Sequence, residues 1–130
     1  ILVIDDSEDI RYIVGNMLSN HQHQALMAES IELALTDFER MHFDMVITDI
    51  FMPGIGGIEG IARIREKWPD IKVIAISGGF KGGHKENALE AARRIGADLA
   101  LDKPFSEEEL IAGVDNLFAE RANPSQLAAT

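Results

Sequence analysis

Five polar side chains stand where aliphatic runs of the sequence stop. Asp5 and Asp6 follow the run from Ile1 to Ile4, and Asp49 follows Met45 to Thr48. Ser77 follows Lys72 to Ile76, and Lys103 comes shortly after Leu99 to Leu101. Three carboxylates brought to one place repel each other unless a cation is shared among them. A hard divalent cation answers that need, and Mg²⁺ takes one or two carboxylates with waters and phosphate oxygens. A lysine supplies a point charge and a serine a hydroxyl, both suited to phosphoryl oxygens. A carboxylate can itself be the nucleophile that forms an aspartyl phosphate. These residue types point to a Mg²⁺-assisted phosphoryl-transfer site on Asp49.

Such a site needs elements that bring the five residues to one edge. Residues 1–5, 24–28, 45–48, 72–76 and 99–101 read as strands. Residues 8–19 carry Ile10, Ile13, Val14, Met17 and Leu18 at helical spacing. Ser30 is placed to N-cap a helix through Met41. A third helix is expected from about Ile58 to Lys67, where Pro69 forbids extension. A fourth spans 86–95 before Gly96 at a C′ position, and a fifth spans 106–120 behind a Ser106–Glu109 capping box. Residues 122–130 lack periodicity and are expected to fray. Strands that are aliphatic throughout are buried on both faces, which implies a parallel sheet between two helical layers. The expected fold is α/β, a doubly wound five-stranded parallel sheet in the order 2-1-3-4-5 with five helices. Its switch point lies at the C-terminal ends of strands 1 and 3, where Asp5, Asp6 and Asp49 fall.

Composition narrows the function classes. The 130 residues are 46% hydrophobic and 26% charged, which suits one globular domain. A net charge of −10 opposes binding to nucleic acid or anionic membrane. No aliphatic run approaches the about 20 residues of a membrane span. There are no cysteines, so thiolate metal sites and disulfides are excluded, and a cytoplasmic setting is expected.

The motifs in their order resemble the receiver domain of bacterial two-component response regulators, a family with the flavodoxin-like fold. The matching pieces are Ile-Leu-Val-Ile-Asp5-Asp6, Asp49-Ile-Phe-Met52-Pro53 with Gly57, Ala-Ile-Ser77-Gly78, and Gly96-Ala-Asp with Lys103-Pro104-Phe105. The resemblance covers about residues 1–120, so residues 1–121 read as the receiver domain and 122–130 as a tail. It implies that Asp49 accepts a phosphoryl group from a histidine kinase or histidine phosphotransfer protein. It implies that Asp6, Asp49 and the Phe51 carbonyl ligate Mg²⁺ directly, with Asp5 acting through a water. Ser77, Lys103 and the Gly78 amide would hold phosphoryl oxygens, and the Lys103–Pro104 peptide would be cis. Such a protein catalyses its own phosphorylation and dephosphorylation and is no conventional enzyme. Its output face would comprise helix 86–95, strand 99–101 and helix 106–120, which meet a downstream protein.

Two departures from the family pattern stand out. Ala100 occupies the position where the family usually has Tyr or Phe, the aromatic that moves with the strand-4 hydroxyl. The stretch between Ser77 and Gly96 is also longer than in the chemotaxis regulator, with the excess in the glycine-rich residues 78–84. The loop 78–85 is therefore the element expected to move in place of a ring.

The same residues admit other readings. Asp6 or Ser7 could merely cap the first helix. His21 and His23 read as a solvated surface pair, His84 as a surface residue, and Trp68 and Phe38 as packing. The glycine run lacks the G-x-x-x-x-G-K-[ST] order of a nucleotide loop. A haloacid-dehalogenase-like phosphatase also uses Asp, Mg²⁺, Ser and Lys, but it needs a second Asp where this chain has Phe51. A degenerate receiver that only docks to a partner is opposed by the intact five-residue set. With nothing resembling an output domain after the last helix, the chain reads either as a stand-alone regulator or as a piece of a larger one.

Overall fold

A computed structural model describes residues 1–50, 57–78 and 96–122. The elements alternate: β1 (Leu2–Ile4), α1 (Glu8–Asn20), β2 (Leu26–Ala28), α2 (Ile31–Asp37), β3 (Met45–Asp49), α3 (Gly57–Lys67), β4 (Lys72–Gly78), β5 (Leu99–Lys103) and α4 (Glu107–Ala122). The strands form one parallel sheet in the order β2-β1-β3-β4-β5, as the sequence predicts. Four helices lie among the described residues; the expected helix 86–95 and loop 78–85 fall outside them beyond Gly78. None of these helices is long and apolar enough to cross a membrane.

The aliphatic runs are explained by burial on both faces. Alternate strand residues point to opposite sides of the sheet. Leu2, Ile4, Val46, Val73 and Ala75 pack with Ile31, Ala34, Ile61 and Ile64 beneath α2 and α3. Val3, Met45, Ile47, Ile74 and Ile76 pack with Val14, Leu18, Leu110, Val114 and Leu117 beneath α1 and α4. The helix starts are set by local side chains. Ser7, Ser30 and Ser106 hydroxyls accept from the Ile10, Leu33 and Glu109 amides at 3.3, 3.1 and 3.1 Å. Gly96 has φ +103°, the left-handed state expected of its position.

Several boundaries differ from the sequence reading. Helix α2 ends at Asp37 rather than Met41. Phe38 stacks edge-on against Phe43 at 5.7 Å, and the Trp68 indole donates to the Met41 carbonyl at 2.7 Å. Those contacts turn the chain toward β3 before the helix can continue. Strands β4 and β5 run two residues further than expected, because Ser77 pairs with Asp102 and Gly78 with Lys103. The last helix begins at Glu107 and reaches Ala122, two residues beyond the expected end. Elsewhere the expected elements stand, with ends shifted by a residue or two.

Candidate functional site

The C-terminal ends of β1, β3 and β5 converge, and they carry the predicted polar residues. Register explains the convergence: Ile4 lies beside Thr48, so Asp5, just past the end of β1, falls level with Asp49, the last residue of β3. Asp49 lies beside Ile76, and Gly78 lies beside Lys103. Carboxylate oxygens of Asp5, Asp6 and Asp49 lie within 4.8 Å of one another, with Asp5 and Asp49 buried and Asp6 exposed. Lys103 Nζ donates to Asp49 Oδ2 at 2.9 Å and to Asp5 Oδ2 at 3.2 Å. The Lys103–Pro104 peptide is cis. Asp5, Asp6, Asp49 and Lys103 are thus brought together. Ser77 and Gly78 take their backbone places at the end of β4, and Phe51 lies outside the described residues.

Asp5 is held from three sides. Its amide donates to the Ala28 carbonyl at 3.1 Å. Its Oδ1 accepts from the Ser7 amide at 2.9 Å, and its carbonyl accepts from Arg11 Nη1 at 2.7 Å. Burial pushes the Asp5 carboxyl above the ordinary range, and the Ser7 amide and the Lys103 charge offset this only in part. Burial also works against the Lys103 ammonium. The hydrogen bond and charge of Asp49, joined by those of Asp5, outweigh it and hold the lysine above its usual value.

The donor set is all oxygen, two of its three carboxylates are buried, and one ammonium spans those two. That arrangement fits a small hard cation. His21 and His23 are not part of it; they pair with Glu107 at 3.2 Å and Asp115 at 3.4 Å on α4. Arg11 escaped the sequence reading, since a side chain reaching a backbone oxygen leaves no pattern of residue types. Arg65 escaped it too. From α3 it bonds the carbonyls of Ile71 and Gly96 and the Asp98 carboxylate, at the other end of the strands.

A fold and acidic cluster of this kind define a class, and the comparisons agree on it. The model of the response regulator receiver domain matches residues 1–115, and the chain belongs to that family. It is 34% identical over 125 residues to the probable transcriptional regulator ycf27 of Cyanophora paradoxa, covering 96% of this chain and 50% of that protein. It is 32% identical over 114 residues to the phosphate regulon transcriptional regulatory protein PhoB of Pseudomonas aeruginosa, covering 86% and 48%. The chain spans about half the length of these curated relatives. The crystal structure of the receiver domain of NtrX from Brucella abortus matches with a TM-score of 0.79 at 31% identity, over 89% of this chain and 95% of that one. Receiver domains are the phosphoacceptor switches of two-component signal transduction. They generally bind Mg²⁺ in an acidic pocket, and in response regulators histidine kinases phosphorylate them.

Proposed function

We propose that Asp49 of this chain takes a phosphoryl group from a phosphohistidine of a histidine kinase or phosphotransfer protein. The observation that carries this is the single ammonium of Lys103 shared between the buried carboxylates of Asp49 and Asp5, with Asp6 beside them. An Asp49 oxygen attacks phosphorus, the bond to the histidine nitrogen breaks, and that nitrogen keeps the electron pair. Lys103 already touches the nucleophile, so its charge is in place to meet a phosphoryl oxygen as negative charge accumulates there. The Ser77 hydroxyl and the Gly78 amide follow Ile76 at the end of β4 and are assigned to the other phosphoryl oxygens.

Asp6, Asp49 and the Phe51 carbonyl would hold Mg²⁺ directly and Asp5 through a water. When bound, the ion neutralises the carboxylates and the incoming phosphoryl charge. Hydrolysis of the acyl phosphate returns the domain to its first state. We assign residues 1–121 to the receiver and 122–130 to a tail. The output surface is assigned to residues 86–95, β5 and α4, and the setting to the cytoplasm.

Incubation with acetyl phosphate and Mg²⁺, followed by mass spectrometry, tests this reading. One phosphoryl group should appear on Asp49 and be absent from Asp49→Asn. An unchanged mass for the wild-type protein at saturating Mg²⁺ would refute it.

A further inference from the structure

The Arg11 guanidinium sits over the end of β1 and makes one hydrogen bond there. At 2.7 Å its Nη1 donates to the Asp5 carbonyl, a short, charge-assisted contact. That oxygen belongs to the Asp5–Asp6 peptide, which is planar. Fixing it sets the plane from which both carboxylates depart. The sheet cannot do this alone: the Asp5 amide is tied to Ala28, but the peptide beyond it has left the ladder.

The bond closes a strap. The Asp5 carboxylate accepts from the Ser7 amide, the Ser7 hydroxyl accepts from the Ile10 amide, and the Ser7 carbonyl accepts from the Arg11 amide at 3.1 Å. Arg11 then reaches back from the first turn of α1 to the strand end where the strap began. Its donor meets the peptide oxygen, whereas Lys103 is the cation on the Asp5 and Asp49 carboxylates. Charge neutralisation therefore falls to Lys103, and what Arg11 adds is placement.

We infer that Arg11 is a positioning residue for the metal-binding carboxylates, acting by holding the Asp5–Asp6 peptide in the orientation that presents both side chains. This rests on the phosphoacceptor reading above. Groups that orient ligands from behind typically change metal affinity about 10–100-fold when removed. Arg11 acts through a peptide rather than on a carboxylate, so the lower end of that range, about tenfold, is expected.

Arg11→Met keeps the apolar stem and removes the donors; Arg11→Lys restores one donor. Calorimetric Mg²⁺ titration should show affinity lowered about tenfold in Arg11→Met and partly restored in Arg11→Lys. Without metal, hydrogen exchange at the Ser7 amide should be faster in Arg11→Met, because the strap is open. Labelling by acetyl phosphate should need about tenfold more Mg²⁺, with the rate at saturation changed far less. Wild-type Mg²⁺ affinity in a folded Arg11→Met would overturn the inference. So would a rise in Mg²⁺ affinity that fades at high ionic strength while Ser7 exchange stays normal, since losing a nearby positive charge by itself favours the cation. If Arg11→Met does not fold, Arg11→Gln, too short to span the gap, carries the same comparison. Failure of the wild-type protein to bind Mg²⁺ or to be labelled would sink the phosphoacceptor reading instead, and Ser7 exchange would still judge the strap.

Discussion

Lys103 Nζ lies 2.9 Å from Oδ2 of Asp49, so the proposed nucleophile and its cation already touch before any phosphoryl group arrives. The same ammonium reaches Asp5 at 3.2 Å. Lys103 is 21% exposed, while the Asp5 and Asp49 side chains are 3% and 8% exposed. Two carboxylates have been drawn out of water together, and one lysine spans both. That costs energy in the metal-free protein and stores an acceptor for a divalent cation.

Lys103→Met should expose this cost. Without the ammonium, Asp5 and Asp49 repel across a partly dehydrated gap, and the metal-free protein should lose about 1–3 kcal/mol at neutral pH. The loss should shrink as pH falls, because protonating either carboxyl relieves the repulsion. Mg²⁺ affinity should rise, since the ion no longer competes with an ammonium, while labelling of Asp49 should fall. Urea unfolding across pH, with and without Mg²⁺, reads both effects. A variant as stable as wild type at neutral pH without metal would contradict this picture.

Asp5 and Asp6 are adjacent but unequal. Burial raises the Asp5 carboxyl, so the folded protein keeps that proton to a higher pH than the unfolded chain. The group therefore favours folding at low pH, and the favour is lost as pH rises through its folded value. Asp5→Asn escapes that loss. It should stabilise the metal-free protein at neutral pH by on the order of 1 kcal/mol, with the gain vanishing below the ordinary carboxylate range of about 4. Asp6 is exposed, so Asp6→Asn should shift stability by less than about 0.5 kcal/mol. Mg²⁺ affinity should order the other way, falling more for Asp6→Asn, the proposed direct ligand, than for Asp5→Asn, proposed to act through a water. Equal Mg²⁺ losses would dissolve the division of roles.

What could be read in advance was whatever burial or local bonding writes into residue types. Strands covered on both sides must be aliphatic throughout, so β1, β3 and β4 were legible, and with them the places where Asp5, Asp49 and Ser77 end a run. Ser30 and Ser106 were legible because a cap needs only its own next turn, and the first helix offered Asp6 or Ser7, of which Ser7 is the cap. The end of α2 was not. Ile31, Leu35 and Phe38 keep helical spacing past Asp37, but Phe38 answers to Phe43, and Met41 to a tryptophan 27 positions away. Asp102 and Lys103 do not look like strand residues, yet their pairing with Ser77 and Gly78 carries β5 through them. Arg11 needed the fold, since nothing in the sequence says that a helix side chain will reach the last carbonyl of a strand.

Arg65 should behave as a structural tie remote from the acidic cluster. Its guanidinium bonds Ile71 O at 3.1 Å, Asp98 Oδ2 at 2.8 Å and the Gly96 carbonyl, and Asp98 Oδ2 also accepts from Val73 N at 2.8 Å. Ile71, Gly96 and Asp98 precede β4 and β5 and Val73 is the second residue of β4, whereas the acidic cluster lies where the strands end. Arg65→Met should cost about 1–3 kcal/mol. In a double-mutant cycle with Asp98→Asn the coupling should exceed about 0.5 kcal/mol. Gly96→Ala, at φ +103°, should cost about 1 kcal/mol more than its lost flexibility returns. None of the three should change Mg²⁺ affinity. A tenfold loss in Arg65→Met would show that the two ends of the sheet are coupled through α3.

Trp68 offers a reporter that separates folding from metal binding. It is 6% exposed, stands edge-on to Phe43 at 5.4 Å and donates to the Met41 carbonyl at 2.7 Å. Phe43 precedes β3, whose other end is Asp49. Six residue steps at about 3.3 Å each place the indole's neighbourhood up to about 20 Å from the carboxylates. The ring and its hydrogen bond therefore lie outside the reach of a cation bound among Asp5, Asp6 and Asp49. Mg²⁺ should leave the emission of the folded protein unchanged in intensity and wavelength. Denaturant should shift it to the red as Phe43 and Met41 separate from it. The midpoint of that shift should move upward with Mg²⁺, by about 2.7 kcal/mol of added stability at a hundred times the dissociation constant. A change in the folded baseline on adding Mg²⁺, before any denaturant, would mean that binding at one end of β3 repacks the other, and the ring could not then serve as a reporter of folding alone.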